Sequence, residues 1–123
     1  MRISTEIYTS DVDACERFYV SHFGFRVKSQ AEGFVVLQHI EHPEYELLFC
    51  QPNSPFVHPV FHPEFDGKGV IIQFEVENVE QEYKRIKDSG IDIVVELTKE
   101  EINGHHFTIK DPGGLLIDIV NYA

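Results

Sequence analysis

The sequence predicts an α+β fold made of two copies of one βαβββ module, and two observations carry that expectation. The first is a repeated order of signals: a strand, an acidic turn, an amphipathic helix, a glycine and further strands. It runs from Glu6-Ile7-Tyr8-Thr9-Ser10-Asp11-Val12 to Gly24, and again from Phe74-Glu75-Val76-Glu77-Asn78-Val79 to Gly90. Aligning Asp11 with Asn78 sets a period of about 67 residues, one module in each half. The second is size, since 123 residues at 42% hydrophobic content suffice for one core. The expected division is a single domain 1–123, with module one at 1–50, a linker at 51–67 and module two at 68–123. Its mixed sheets are expected to curl into an incomplete barrel around a cleft, the usual place for a small ligand.

Each element has its own signal. Residues 2–9 alternate, with Ile3, Thr5 and Ile7 on one side and Ser4, Glu6 and Tyr8 on the other, which predicts a strand. Ser10-Asp11 offers an oxygen-bearing N-cap, and Val12, Cys15, Phe18, Tyr19 and Phe23 recur at helical spacing until Gly24. Strands follow near 25–30, 33–40 and 44–50, divided by Ala31-Glu32-Gly33 and by a turn at His42-Pro43. The prolines of 51–67 forbid ladder pairing, while Phe56, Phe61 and Phe65 are unusual in a plain tether, so a binding loop or lid is expected there. Module two repeats the scheme. Val70, Ile72, Phe74 and Val76 form one face of a strand and Ile71, Gln73 and Glu75 the other. Asn78 caps a helix with Gln81 at the capping-box position, and Val79, Tyr83 and Ile86 make its buried stripe before Gly90. Strands near 91–96, 104–110 and 115–121 close the module, the last two joined at Asp111-Pro112-Gly113-Gly114.

Composition excludes several function classes. A formal net charge of -11 repels phosphate backbones and anionic lipid surfaces, so neither nucleic acid nor membrane is an expected partner. Cys15 and Cys50 have neither metal-ligand spacing nor the number of a disulfide scaffold, which points to a reducing cytoplasm. Met1-Arg2-Ile3 leads straight into a strand pattern, and no secretory or membrane-spanning run is expected. Neither cysteine has a clear base partner, and there is no nucleophile elbow or phosphate-cradling glycine loop.

A βαβββ unit repeated within this length resembles the vicinal oxygen chelate superfamily, which holds glyoxalase I, extradiol dioxygenases, fosfomycin-resistance enzymes and bleomycin-binding proteins. The residues that carry the likeness are Ile7-Tyr8-Thr9-Ser10-Asp11 with Arg17-Phe18-Tyr19 and Phe23-Gly24-Phe25, Phe74-Glu75-Val76-Glu77-Asn78-Val79 with Gly90, and Asp111-Pro112-Gly113-Gly114-Leu115-Leu116-Ile117-Asp118. The resemblance implies a glyoxalase-like fold and a cleft more than any one reaction. Its metal-ligand positions fall at Ser4 and Ile71 on the opening strands and at Glu46 and Asp118 on the closing strands. Only the two carboxylates are able donors, and a transition metal wants three or four. Glu6, Glu75 and His106 are the residues that would have to rescue such a site. His105 and His106 point to opposite faces of a strand, His58 and His62 lie in the proline-rich loop, and His22, His39 and His42 read as surface or turn residues.

The resulting expectation is a metal-independent small-molecule binder of the bleomycin-resistance type, with no cofactor and no catalytic residue assigned. Its ligand-binding candidates are Ser4, Glu6, Tyr8, Phe34, Glu46, Ile71, Gln73, Glu75, His106 and Asp118. Glu6, Glu46, Glu75 and Asp118 cannot all be buried without a cation or raised pKa values, so the expected guest is cationic or aromatic, with Tyr8 and Phe34 supplying π faces. The likeness also implies a homodimer. The alternative is a metal-dependent lyase, isomerase or dioxygenase with a non-standard site, and a third reading is an interaction module whose cleft is filled by its own side chains.

Overall fold

The computed structural model describes residues 1–123, which divide into two compact units, Met1–Asp66 and Gly67–Ala123. In the first, β1 (Thr5–Tyr8), α1 (Val12–His22), β2 (Phe25–Ala31), β3 (Phe34–His39) and β4 (Glu46–Cys50) form a sheet of order β1-β4-β3-β2. The second repeats this with β5 (Ile71–Glu75), α2 (Val79–Asp88), β6 (Ile93–Glu100), β7 (Gly104–Lys110) and β8 (Leu116–Asn121) in the order β5-β8-β7-β6. Each sheet is mixed: β1 pairs parallel with β4 and β5 with β8, and the remaining pairs are antiparallel. The expected α+β class and the βαβββ order of both modules are thus observed. Both helices are short, and no helix is long and apolar enough to cross a membrane.

The helices form where apolar residues recur at helical spacing, and each covers one sheet face. In unit one Val12, Cys15 and Tyr19 are buried against Ile7, Val35, Leu37, Leu47 and Phe49, with Tyr19 stacked on Phe49 at 5.4 Å between ring centroids. In unit two Val79 and Ile86 are buried with Phe107, Ile109, Ile117 and Ile119, and Tyr83 meets Phe107 edge-on at 5.1 Å. Strand alternation then assigns the opposite face. It carries Glu6 and Tyr8, Glu46, Leu48 and Cys50, and Phe34, Val36 and Gln38 in unit one. In unit two it carries Ile71, Gln73 and Glu75, Leu116, Asp118 and Val120, and His106 and Thr108.

The two helix starts differ. Asn78 accepts a hydrogen bond from the Gln81 backbone N–H through its side chain at 3.0 Å, as a cap should. At α1 the expected cap is absent: Asp11 makes no side-chain cap bond, and Ser10 donates from its N–H and hydroxyl to Glu64 instead. Thr9, buried, accepts the Asp11 N–H at 3.1 Å. The Ser10 donors are thus held by a carboxylate 54 residues away, a contact that no local pattern reveals. Asn78→Ala should therefore cost about 1 kcal/mol in chemical denaturation, whereas Asp11→Ala should cost a few tenths at most.

Other boundaries depart from expectation, among them the end of β6 and the start of β4. β6 runs to Glu100 rather than stopping near 96, because it pairs with β7 along its length through two register shifts. Gly104 at that hairpin has φ +73°, and a Cβ there would lie 2.8 Å from the carbonyl oxygen of Asn121, so only glycine fits without a shift. β4 starts at Glu46 rather than near 44, because Glu44 and Tyr45 belong to the preceding turn, where the Tyr45 N–H donates to the His42 carbonyl. The 51–67 stretch is irregular apart from one 3-10 turn at Pro59–Phe61. It packs with unit one: the Phe65 N–H donates to the Tyr8 carbonyl at 3.0 Å, and Phe61 stacks on Tyr8.

Candidate functional site

The opposite face of unit one opens into a pocket of about 350 Å³ at its Tyr8 end. The register explains its floor. Tyr8 pairs with Cys50, and Cys50 with Phe34, which pairs in turn with Ala31, so these four side chains form one row across the sheet. The β2–β3 turn at Glu32-Gly33 and the loop residues Gln51, Ser54, Phe56 and Val57 make the walls. The wall at Gly33 is fixed. Its carbonyl accepts the Gln51 N–H at 2.7 Å, and a Cβ on this φ +72° residue would fall 2.8 Å from the Gln51 side-chain oxygen. Phe61 lies parallel to the Tyr8 ring at 5.9 Å and braces it.

Only two charged residues line this pocket, Glu6 and Glu32, and both are negative. Glu6 is exposed and accepts a hydrogen bond from the Tyr8 hydroxyl at 3.3 Å. Burial, and then the Glu6 charge, push the Tyr8 phenol above its ordinary pKa. The same two causes push the Cys50 thiol up, which favours its protonated form at neutral pH. Tyr8, Phe34 and Phe56 supply the aromatic surface, and Phe56 is 95% exposed.

Glu46 lies on the same sheet face but outside the pocket. Its Oε2 accepts from Arg2 at 2.8 Å and from Lys28 at 2.6 Å, and the Lys28 bond, with Arg2 adding, holds its carboxyl below the usual range. Ser4 precedes β1 and is exposed. In unit two Ile71, Gln73 and Glu75 are exposed, and Gln73 accepts from the Tyr122 hydroxyl at 2.9 Å. His106 and Asp118 form a buried pair, Nδ1 to Oδ1 at 2.6 Å, and Thr108 donates to the same carboxylate oxygen at 3.1 Å. The second ring nitrogen of His106 is buried without a hydrogen bond, 3.5 Å from Glu100. Burial disfavours the imidazolium, but the Asp118 hydrogen bond and charge, with Glu100 adding, outweigh it and raise the His106 pKa.

The expectation that four carboxylates share one need for a cationic guest is corrected by these partners. Glu46 is compensated by Arg2 and Lys28 and Asp118 is tied to His106, which leaves Glu6 and Glu75, both exposed, without a cation in the structure. The metal positions implied by the resemblance fare no better as a ligand set. Ile71 has no donor atom, Ser4 offers one hydroxyl, and both carboxylates are engaged. No group of three His, Cys, Asp or Glu side chains is arranged to hold an ion. The residues present do not fit a transition-metal site.

Sequence reasoning singled out Glu6, Tyr8 and Phe34, which meet at the pocket. It placed Phe56 in an expected binding loop or lid without assigning it to the site, it missed Glu32, Cys50 and Gln51 as lining, and it missed the His106–Asp118 contact. The aromatic content of the 51–67 loop was the available signal for Phe56. The other contacts depend on strand register, which periodicity does not specify.

The comparisons with known proteins agree with this architecture. Among solved structures, a glyoxalase/bleomycin resistance protein/dioxygenase from Nocardioides superposes with a TM-score of 0.82 at 18% identity, over 99% of this chain and 83% of the other. TioX from Micromonospora sp. ML1 gives 0.75 at 17% identity, over 100% and 99% of the two chains. A lactoylglutathione lyase from Agrobacterium tumefaciens gives 0.71 at 21% identity, over 98% and 92%. At these identities the likeness concerns the fold. A search of curated proteins returned no significant match. The family model for the Glyoxalase/Bleomycin resistance protein/Dioxygenase superfamily matches residues 3–119, nearly the whole chain. With the duplicated βαβββ sheets already in view, the chain belongs to that superfamily.

Proposed function

We propose that this protein is a metal-independent binder of small molecules and that the unit-one pocket takes a cationic, planar aromatic guest. One observation carries the reading: Tyr8, Phe34 and Phe56 are among the residues that line the pocket, and every charge on its lining is negative. A cation over an aromatic face is attracted by the ring quadrupole, and Glu6 and Glu32 add a Coulomb term that a neutral or anionic guest would not receive. The volume lies at the small end of the range for ligand pockets, which suits a compact ring system. The protonated Cys50 and the lack of a fitting metal-ligand set favour binding over turnover.

Calorimetric titration with a panel of cationic aromatic compounds, matched to neutral isosteres, tests the reading. The cations should bind and the isosteres should bind about tenfold more weakly, a loss within the span of a partly desolvated cation–π contact plus a carboxylate. Phe34→Ala should weaken the cations by a similar factor. Absence of binding across the panel, or turnover that depends on a stoichiometric transition metal, would overturn it.

A further inference from the structure

The far end of the same sheet face has the opposite charge. Residues 1–66 hold ten acidic side chains against four basic ones, yet three of those four, Arg2, Arg26 and Lys28, gather at one corner around Glu46 and Gln38. They are joined in one chain of hydrogen bonds. Arg26 donates to the side-chain amide oxygen of Gln38, and the Gln38 amide nitrogen donates to the Pro43 backbone carbonyl at 3.0 Å. Arg2 donates to that same carbonyl at 3.1 Å and to Glu46, which also accepts from Lys28. Gln38 is 8% exposed, so the network has a buried anchor, while the cationic ends of Arg2 and Lys28 remain open to solvent. Glu46 is bonded to two of the three cations, Arg26 is bonded to a neutral amide, and Glu44 of the adjoining turn lies beside His42 at 3.7 Å. The corner therefore keeps a surplus of positive charge within a strongly acidic unit.

We propose that the Arg2–Arg26–Lys28 corner is an anion subsite, so that the ligand of this face is zwitterionic, with a carboxylate or phosphate at the corner and its cationic aromatic part in the pocket. The zwitterion rests on the reading of the pocket given above; the anion subsite does not. Guanidinium and ammonium donors grouped on a preformed backbone recognise either oxyanion. The spacing sets the length of the guest. Gln38 pairs with Glu46, and Cys50 of the pocket floor lies four residues along the same strand, about 13 Å away at strand rise. Charges of opposite sign at the two ends also fix the direction in which a guest lies, which a uniformly acidic groove would not do.

The test uses the full chain and three probes. The first is a quinolinium bearing a carboxylate on an alkyl chain matched to that separation, the second is its methyl ester, and the third is inorganic phosphate, with acetate beside it. The acid should bind about tenfold more tightly than the ester, and the advantage should vanish in Arg2→Ala/Lys28→Ala. Glu46→Gln, which removes the internal competitor, should enlarge it. Equal affinity of acid and ester would overturn the zwitterion. If neither quinolinium binds, the pocket reading fails, and phosphate decides the subsite alone: amide shifts confined to the corner and absent from the double variant sustain it, and no shift overturns it. A stronger response to phosphate than to acetate assigns the anion as phosphate, and the reverse assigns a carboxylate.

Discussion

Asp118→Ala is expected to destabilise the protein by about 3 kcal/mol, one of the largest effects of any single polar substitution in this chain. The carboxylate is 4% exposed, and it satisfies both His106 and Thr108 through one oxygen. Removing it leaves a buried imidazole N–H and a buried hydroxyl without an acceptor, and an unmet buried donor costs its full desolvation. The Arg2–Glu46 pair, whose arginine is exposed and whose carboxylate is also held by Lys28, offers the contrast, since Arg2→Ala should cost under about 1 kcal/mol for stability. The deficit should also depend on pH. The folded pKa of His106 is raised, so the stability it contributes is complete below the unfolded value near 6.5 and is lost as pH rises through the folded value. The gap between wild type and Asp118→Ala should therefore be widest in mild acid and narrow toward alkaline pH. Urea denaturation at several pH values measures it, and a gap that widens with rising pH would refute the assignment.

Phe49→Ala should cost about 3 to 5 kcal/mol, the usual range for a fully enclosed ring. Phe49 is completely buried, stacks on Tyr19, and sits on β4 between Leu48 and Cys50, which face the other way. That placement separates stability from binding. The substitution opens a cavity on the helix side of the sheet, while Tyr8, Phe34 and Cys50 keep their row on the pocket side. Ligand affinity, measured at a temperature where the variant is folded, should stay within about twofold of wild type. A fall in affinity matching that of Phe34→Ala would mean that the pocket depends on the core behind it and would contradict the two-faced account of this strand.

How much of the site is legible in the chain differs between residues. Glu6 and Tyr8 share a face with each other because strand alternation is a local property, and Phe34 and Asp118 can be assigned a face in the same way. Their neighbours cannot. That Tyr8 adjoins Cys50, that Phe34 pairs with the same residue, and that His106 reaches diagonally to Asp118 all follow from register between strands distant in sequence. A slip of one residue in any of these pairs would turn every side chain to the other face. The Ser10–Glu64 contact has the same origin, since it joins residues 54 positions apart.

By itself the sequence determined the repeated βαβββ plan, the residues that stop each helix, and the donor-poor character of Ser4 and Ile71, because periodicity, turn chemistry and side-chain identity are written locally. Tertiary structure alone decided which carboxylates are spent on internal partners and which remain facing a pocket. Charge compensation is a short-range effect between groups brought together from different strands, and Glu46 and Asp118 acquired their partners only when the sheets formed. Glu6, with the same chemistry and a similar place in its strand, was left to face the open end of the row.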